Sequence, residues 1–131
     1  MLTEEDIVWG LRGLELGRDS TVVVHASLRS FGVVEGGAYT VARGLAALCG
    51  TVVMPSGTWD LSGVPAPPGS ERPNNAALST DSWDEFDVAV DRAVPFSRGL
   101  PVDRELGAIA EAMRVSHEHV RGEHPLFSFL A

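Results

Sequence analysis

Residues 22–32 read VVVHASLRSFG and place His25, Ser27, Arg29 and Ser30 within six positions at the end of an apolar run. Hydroxyls, backbone N–H groups and a planar guanidinium are the donors that hold an anion, a phosphate above all. If the apolar run is a parallel strand, its C-terminal end lies where α/β sheets present their ligands. The competing reading is a capped loop whose serines satisfy backbone groups and whose arginine is solvated. In that reading His25 is a hydrogen-bonded histidine that shapes the loop. No GxGxxG or GxxxxGK[ST] pattern occurs, so no standard nucleotide fingerprint applies.

The remaining reactive side chains are sparser. His117 and His119 flank Glu118 at a spacing that does not suit a helical zinc site, and no third ligand is evident, so the expectation is no metal. His124 sits at a loop–strand junction. Ser27, Ser56, Ser97 and Ser128 are available to a serine hydrolase, but no G-x-S-x-G elbow presents any of them. Asp81, Asp84, Glu85, Asp87 and Asp91 form an acidic stretch that either lines a cation site or is a solvated face. All ten basic residues are arginine, which excludes lysine Schiff-base chemistry and a Walker-type phosphate lysine.

The elements that must position these groups follow from periodicity. Thr3 and Asp6 resemble a capping box ahead of Ile7, Leu11 and Leu14 at helical spacing. Residues 21–25, TVVVH, are β-branched and continuously apolar, the pattern of a strand buried on both faces. Val41, Leu45 and Leu48 line a second helix ending at Gly50, and TVVM at 51–54 is another short buried strand stopped by Pro55. Strand, helix, strand in this order predicts a parallel βαβ unit and hence an α/β fold, a mostly parallel sheet flanked by helices. From about residue 56 to 101 the chain turns proline-rich, with an Asn74-Asn75 turn signal and one helical turn from Ser82. An excursion of that length reads as a functional loop. Asp103 is a good N-cap for a helix carrying Leu106, Ile109, Ala110 and Met113. Leu126, Phe127, Phe129 and Leu130 read as a last buried strand. Its stop at Ala131 without a turn or polar tail is the pattern of a truncated, incomplete domain.

Composition sets the outer bounds. The chain has 131 residues, enough for one domain, and its formal charge of −8 argues against nucleic acid as a partner. An acidic surface suits a cationic small molecule. There is no apolar run of membrane-spanning length, and the acidic N-terminus is unlike a signal peptide, so the expected location is cytoplasmic, away from the membrane. A single cysteine, Cys49, rules out an internal disulfide and a cysteine-based zinc framework.

Several blocks then occur in order: VVVHASLRSFGVVEGG, TVVMPSGTW, RPNNAALS, FDVAVDRAVPF, LPVDRELGAIAEAMR and VRGEHPLFSFLA. Together they resemble the aminoglycoside 3-N-acetyltransferase family, which is unrelated in fold to the GNAT acetyltransferases. The resemblance runs along nearly the whole chain. It implies acyl transfer from acetyl-CoA to the 3-amino group of an aminoglycoside, a cationic amine, with no metal. It further implies that Ser27, Leu28, Arg29 and Ser30 hold the coenzyme, with His25 shaping the loop and Val34 packing on the pantetheine arm. Ser97, Arg98, Arg121 and Ser128 are secondary candidates for the same cleft, beside the 54–58 segment and the loop near His124. Family chains are about twice this long, so residues 1–131 correspond to an N-terminal half, and the catalytic base is expected in the other half. The alternative is a non-catalytic module that binds coenzyme A or another ligand and needs a C-terminal partner half. An oligomer is compatible with either.

Overall fold

The computed structural model of the chain describes residues 1–74, 76 and 78–131; Asn75 of the Asn74-Asn75 turn signal lies outside the described residues, as does Ala77. Helix α1, Glu4–Gly13, opens with the expected capping box. The Thr3 hydroxyl accepts from the Asp6 N–H at 3.3 Å, and the Asp6 carboxylate accepts from the Thr3 N–H at 2.8 Å. That backbone bond from Thr3 is the main reason the Asp6 carboxyl titrates below its usual range. Strand β1, Thr21–Val23, runs parallel to β2, Thr51–Pro55, pairing Thr21 with Thr51 and Val23 with Val53. Helix α2, Gly37–Leu48, makes the crossover between them, and its Val41, Leu45 and Leu48 are buried as its periodicity predicts. The third strand, β3 (Phe129–Leu130), pairs antiparallel with β2, Met54 against Leu130 and Pro55 against Phe129. The sheet is therefore mixed, in the order β1–β2–β3.

One core serves the described residues. Ile7 of α1, Val41 and Leu45 of α2, and Ile109 and Met113 of α5 (Ala108–Ser116) meet Val52, Met54 and Leu130 of the sheet. Cys49 is buried here at 3% exposure, and loss of solvation pushes its thiol above the usual range.

Three expectations are corrected. First, β1 is not buried on both faces. Val22, Val24 and Ala26 pack on the core, whereas Val23, on the opposite face, is 72% exposed. Second, the 56–101 excursion holds more than one helical turn: α3, Trp59–Ser62, and the ten-residue α4, Trp83–Arg92. None of α4 is buried, although Trp83, Phe86 and Val90 recur at helical spacing; the Ser82 cap, accepting from the Glu85 N–H at 3.3 Å, starts it. Third, Asp103 caps a 3-10 turn, Arg104–Leu106, and α5 begins only after Gly107. The buried Asp103 carboxylate accepts from the Glu105 N–H at 2.7 Å and the Asp60 N–H at 2.8 Å, which ties α3 to this turn.

Helix α5 is fastened at Glu111, which accepts from the Val102 N–H at 2.9 Å and takes a two-pronged contact from Arg114 at 2.6 and 2.8 Å. Burial alone would push the Glu111 carboxyl up. The Arg114 fork, the Val102 N–H and the charges of Arg114 and Arg121 outweigh it and leave the group below its ordinary 4.5. A carboxyl depressed on folding stabilises fully above that ordinary value, and the contribution is lost as pH falls through the lower folded value. Glu111→Gln is thus expected to melt lower than the unaltered protein at neutral pH, with the difference shrinking in acid. Melts between about pH 3 and 7 check this, and a gap constant across that window would contradict it.

Candidate functional site

The alternation that exposes Val23 also exposes His25 and Ser27, while Leu28 turns back to the core. A 3-10 turn, Leu28–Phe31, follows directly, closed by the Ser30 N–H donating to the Ser27 carbonyl at 3.0 Å. Ser27 stands at its N-cap, yet its hydroxyl makes no capping bond and is left available. Arg29 and Ser30 are exposed on this turn.

Across from residues 25–29 lie residues 104–108, and the two segments enclose an open cleft of about 660 Å³. Gly107 stands where the two segments meet, and its backbone conformation rather than its space calls for glycine. Its φ of +96° belongs to a region side chains avoid, and a Cβ there would lie 3.5 Å from the Ala26 carbonyl. No side chain caps the start of α5, so its first N–H groups and the positive end of its dipole open toward the cleft. Arg104 adds a second guanidinium; its Nε lies 3.6 Å from Asp60, a solvent-exposed contact that holds it only weakly. The cleft thus gathers His25, Ser27, Arg29, Arg104 and free backbone donors, an arrangement that suits phosphate groups.

Other sequence candidates lie elsewhere. Val34 is half-buried on the core, its neighbours Val33 and Glu35 bonded to Leu2 at 2.8 and 2.9 Å. Arg98 is on the surface, paired with Glu123 at 2.6 Å. Ser97 is in the same loop, its carbonyl accepting from the Leu100 N–H at 3.1 Å. Arg121 is only 2% exposed, and its guanidinium donates to the carbonyls of Arg98 (3.0 Å), Leu100 and Ser56 beneath the Phe96 ring. Burial presses its titration downward. Ser128 is equally buried, donating to the Ser56 carbonyl at 2.8 Å with its oxygen 3.1 Å from the Ser56 hydroxyl. The two terminal nitrogens of Arg121 and the Ser128 hydroxyl are therefore spent on the chain's own backbone, while the buried Arg121 Nε has no partner among the described residues. The same burial shuts in Ser56 and Ser128, two of the four candidate serine nucleophiles.

Periodicity and composition did not single out Arg104, Glu105 or Gly107, although all three stand in LPVDRELGAIAEAMR. The signal was a glycine directly ahead of a helix with no capping side chain. A second cavity of about 500 Å³ lies beside the first, walled by Trp59 and Phe127, whose rings meet edge-to-face at 6.0 Å; Glu105 lines both cavities. His124 borders this region as a turn former, its Nδ1 accepting from the Phe127 N–H at 3.0 Å. Among the described residues no cluster of three or more metal-binding side chains occurs, and no helix is long and apolar enough to cross a membrane.

Comparison with known proteins bears on the whole arrangement. The chain is 35% identical over 134 residues to the SPbeta prophage-derived aminoglycoside N(3')-acetyltransferase-like protein YokD of Bacillus subtilis, covering 98% of this chain and 46% of that protein. It is 34% identical over 122 residues to aminoglycoside N(3)-acetyltransferase III of Serratia marcescens, covering 89% of this chain and 43% of that one. The crystal structure of YokD superposes with a TM-score of 0.76 at 29% identity, over 98% of this chain and 49% of that chain. The chain thus spans about half the length of the curated relatives it matches. A family model described as aminoglycoside 3-N-acetyltransferase matches residues 23–131, from the exposed end of β1 through both walls of the cleft to the last strand. By that match the chain belongs to the aminoglycoside 3-N-acetyltransferase family.

Proposed function

We propose that this chain is the coenzyme-binding part of an N-acetyltransferase that moves an acetyl group from acetyl-CoA to the 3-amino group of an aminoglycoside. The observation that carries the reading is the cleft between residues 25–29 and 104–108, where Arg29, Arg104 and the uncapped start of α5 face the same space. Coenzyme phosphates supply the negative charge these donors lack, and Ser27 and His25 extend the polar wall toward the pantetheine arm. In the reaction the neutral amine attacks the thioester carbonyl. A C–N bond forms, the C–S bond breaks, the thiolate leaves, and a base takes the ammonium proton. N–H groups facing the carbonyl would steady the oxyanion. The proposal assigns the coenzyme platform to this chain and the base to none of its residues. Arg121 and Ser128 act from behind the site as framework, and Arg98 and Ser97 stay at its margin.

Arg29→Ala is expected to weaken coenzyme A binding by about 1–3 kcal/mol, the range for a lost charge-assisted hydrogen bond. Calorimetry that returned an unchanged affinity would remove the cleft from the proposal. The match to about half of each relative favours one second reading, a module that binds coenzyme A without turnover until joined by a partner half. Neither reading expects acetyl transfer by the chain alone; free thiol released once a separate C-terminal half is added marks the second.

A further inference from the structure

Helix α4 stands clear of the core, with none of its residues buried. Phe86, Ala89 and Ala93 are half-buried and mark the side that leans on the rest of the chain. At the helical repeat, Trp83 and Val90 stand beside that side, and Val94 continues their line past the helix end. Trp83 is 61% exposed, its ring propped edge-to-face on Phe86 at 5.7 Å, and Val90 and Val94 also face solvent. The same repeat places Asp84, Asp87 and Asp91 along the outer flank of this apolar strip. None of the three has an ion-pair partner among the described residues, and Arg92, the only basic residue in α4, falls on the opposite side.

We propose that α4 is a docking face for a basic amphipathic helix of another protein. The apolar side chains of that helix cover Trp83, Val90 and Val94, and arginines or lysines along its flank pair with Asp84, Asp87 and Asp91. Charge complementarity selects this occupant. A second copy of a chain with net charge −8, docking through the same face, would set carboxylate against carboxylate, and anionic lipid would be repelled. An arginine can also stack on the exposed Trp83 ring while it pairs with Asp87, one turn along. None of these residues lines the coenzyme cleft, so the inference stands apart from the acetyltransferase reading.

The probe is a synthetic helix-forming peptide with leucines on one face and arginines along one flank, beside a scrambled peptide of identical composition. Titration at low salt is expected to shift the tryptophan emission to the blue with the patterned peptide. Trp83→Phe should abolish the shift, although Trp9 and Trp59 remain. Asp84→Asn, Asp87→Asn and Asp91→Asn together should weaken the peptide about tenfold and flatten its salt dependence. A control carrying Glu5→Gln, Asp19→Asn and Glu118→Gln removes as much charge elsewhere and should bind as the unaltered protein does. Asp84 also steadies the first turn of α4, so Val90→Ser, which keeps every carboxylate, is the second variant and should weaken the peptide severalfold. Equal affinity for the scrambled peptide, or an equal loss in the control, reduces the face to general acidity and overturns the proposal. So does affinity unmoved by both the triple aspartate variant and Val90→Ser, or no binding of the patterned peptide at millimolar concentration. An emission shift on vesicles of phosphatidylcholine and phosphatidylglycerol, with none on the peptide, makes the face a membrane contact and overturns it as well.

Discussion

Arg121→Met is expected to lower the melting temperature by roughly 10–15 °C, the largest effect of any single substitution considered for this chain. Methionine matches the length and apolar stem of arginine, so the variant isolates the guanidinium. That group donates to the carbonyls of Arg98, Leu100 and Ser56. The Ser56 carbonyl keeps the Ser128 hydroxyl, but the other two lose the side chain that serves them. Each acceptor left bare in this part-buried setting costs about 1–3 kcal/mol, and the sum, near 3–4 kcal/mol, sets the expected shift. Lysine is a poor substitute because one ammonium cannot reach three carbonyls in different directions. Thermal unfolding followed by circular dichroism measures the effect, and a variant melting within about 3 °C of the unaltered protein would show that water replaces the guanidinium.

Gly57→Ala is expected to cost about 3 kcal/mol by overpacking. A methyl group there would fall far inside contact distance of the Leu126 carbonyl oxygen. Relief by a backbone shift is blocked on both sides. The Ser56 N–H donates to the Ser128 carbonyl at 2.8 Å, the Thr58 N–H to the Pro125 carbonyl at 3.0 Å, and the Gly57 carbonyl accepts from the Asp103 N–H at 2.8 Å. Trp59 stands 3.5 Å from the same point, so the substitution should also disturb the cavity that Trp59 walls. A lowered melting temperature together with altered tryptophan emission is the expected pair of results. A normal melt would mean that the 124–128 segment yields more easily than its bonds suggest.

The parts of the fold legible in the sequence were those decided by near neighbours. Thr3 and Asp6 announced the first cap, and Val41, Leu45 and Leu48 announced the face of α2. The βαβ unit followed from two β-branched runs around that helix. The cluster at residues 25–30 was legible as a group of anion donors because its residues are consecutive. What escaped depended on contacts distant in sequence. Arg104 and Gly107 join the cleft only because α5 packs α2 and brings their loop beside Ala26. TVVVH looked buried on both faces because its composition reports hydrophobicity but not which side a helix covers. Arg121 has the chemistry of a phosphate ligand, and no local pattern reveals that three backbone carbonyls already claim it. Helix α4 carries Trp83, Phe86 and Val90 at helical spacing, but none of its residues is buried, and the prolines and turn residues around it pointed to a loop.

The junction of β2 with β3 also bears on the order in which the chain folds. Strands β1 and β2 belong to one continuous βαβ unit, whereas Ser56 and Ser128 are 72 residues apart. Closing the longer loop costs more chain entropy, and that cost falls due before its contacts form. The βαβ unit should therefore assemble first, with the C-terminal segment docking late and Arg121 locking it. Bonds made after the rate-limiting step govern how fast a protein comes apart rather than how fast it forms. The Arg121 lock is in this sense a brake on unfolding, and it sets the lifetime of the folded chain more than the speed of its birth.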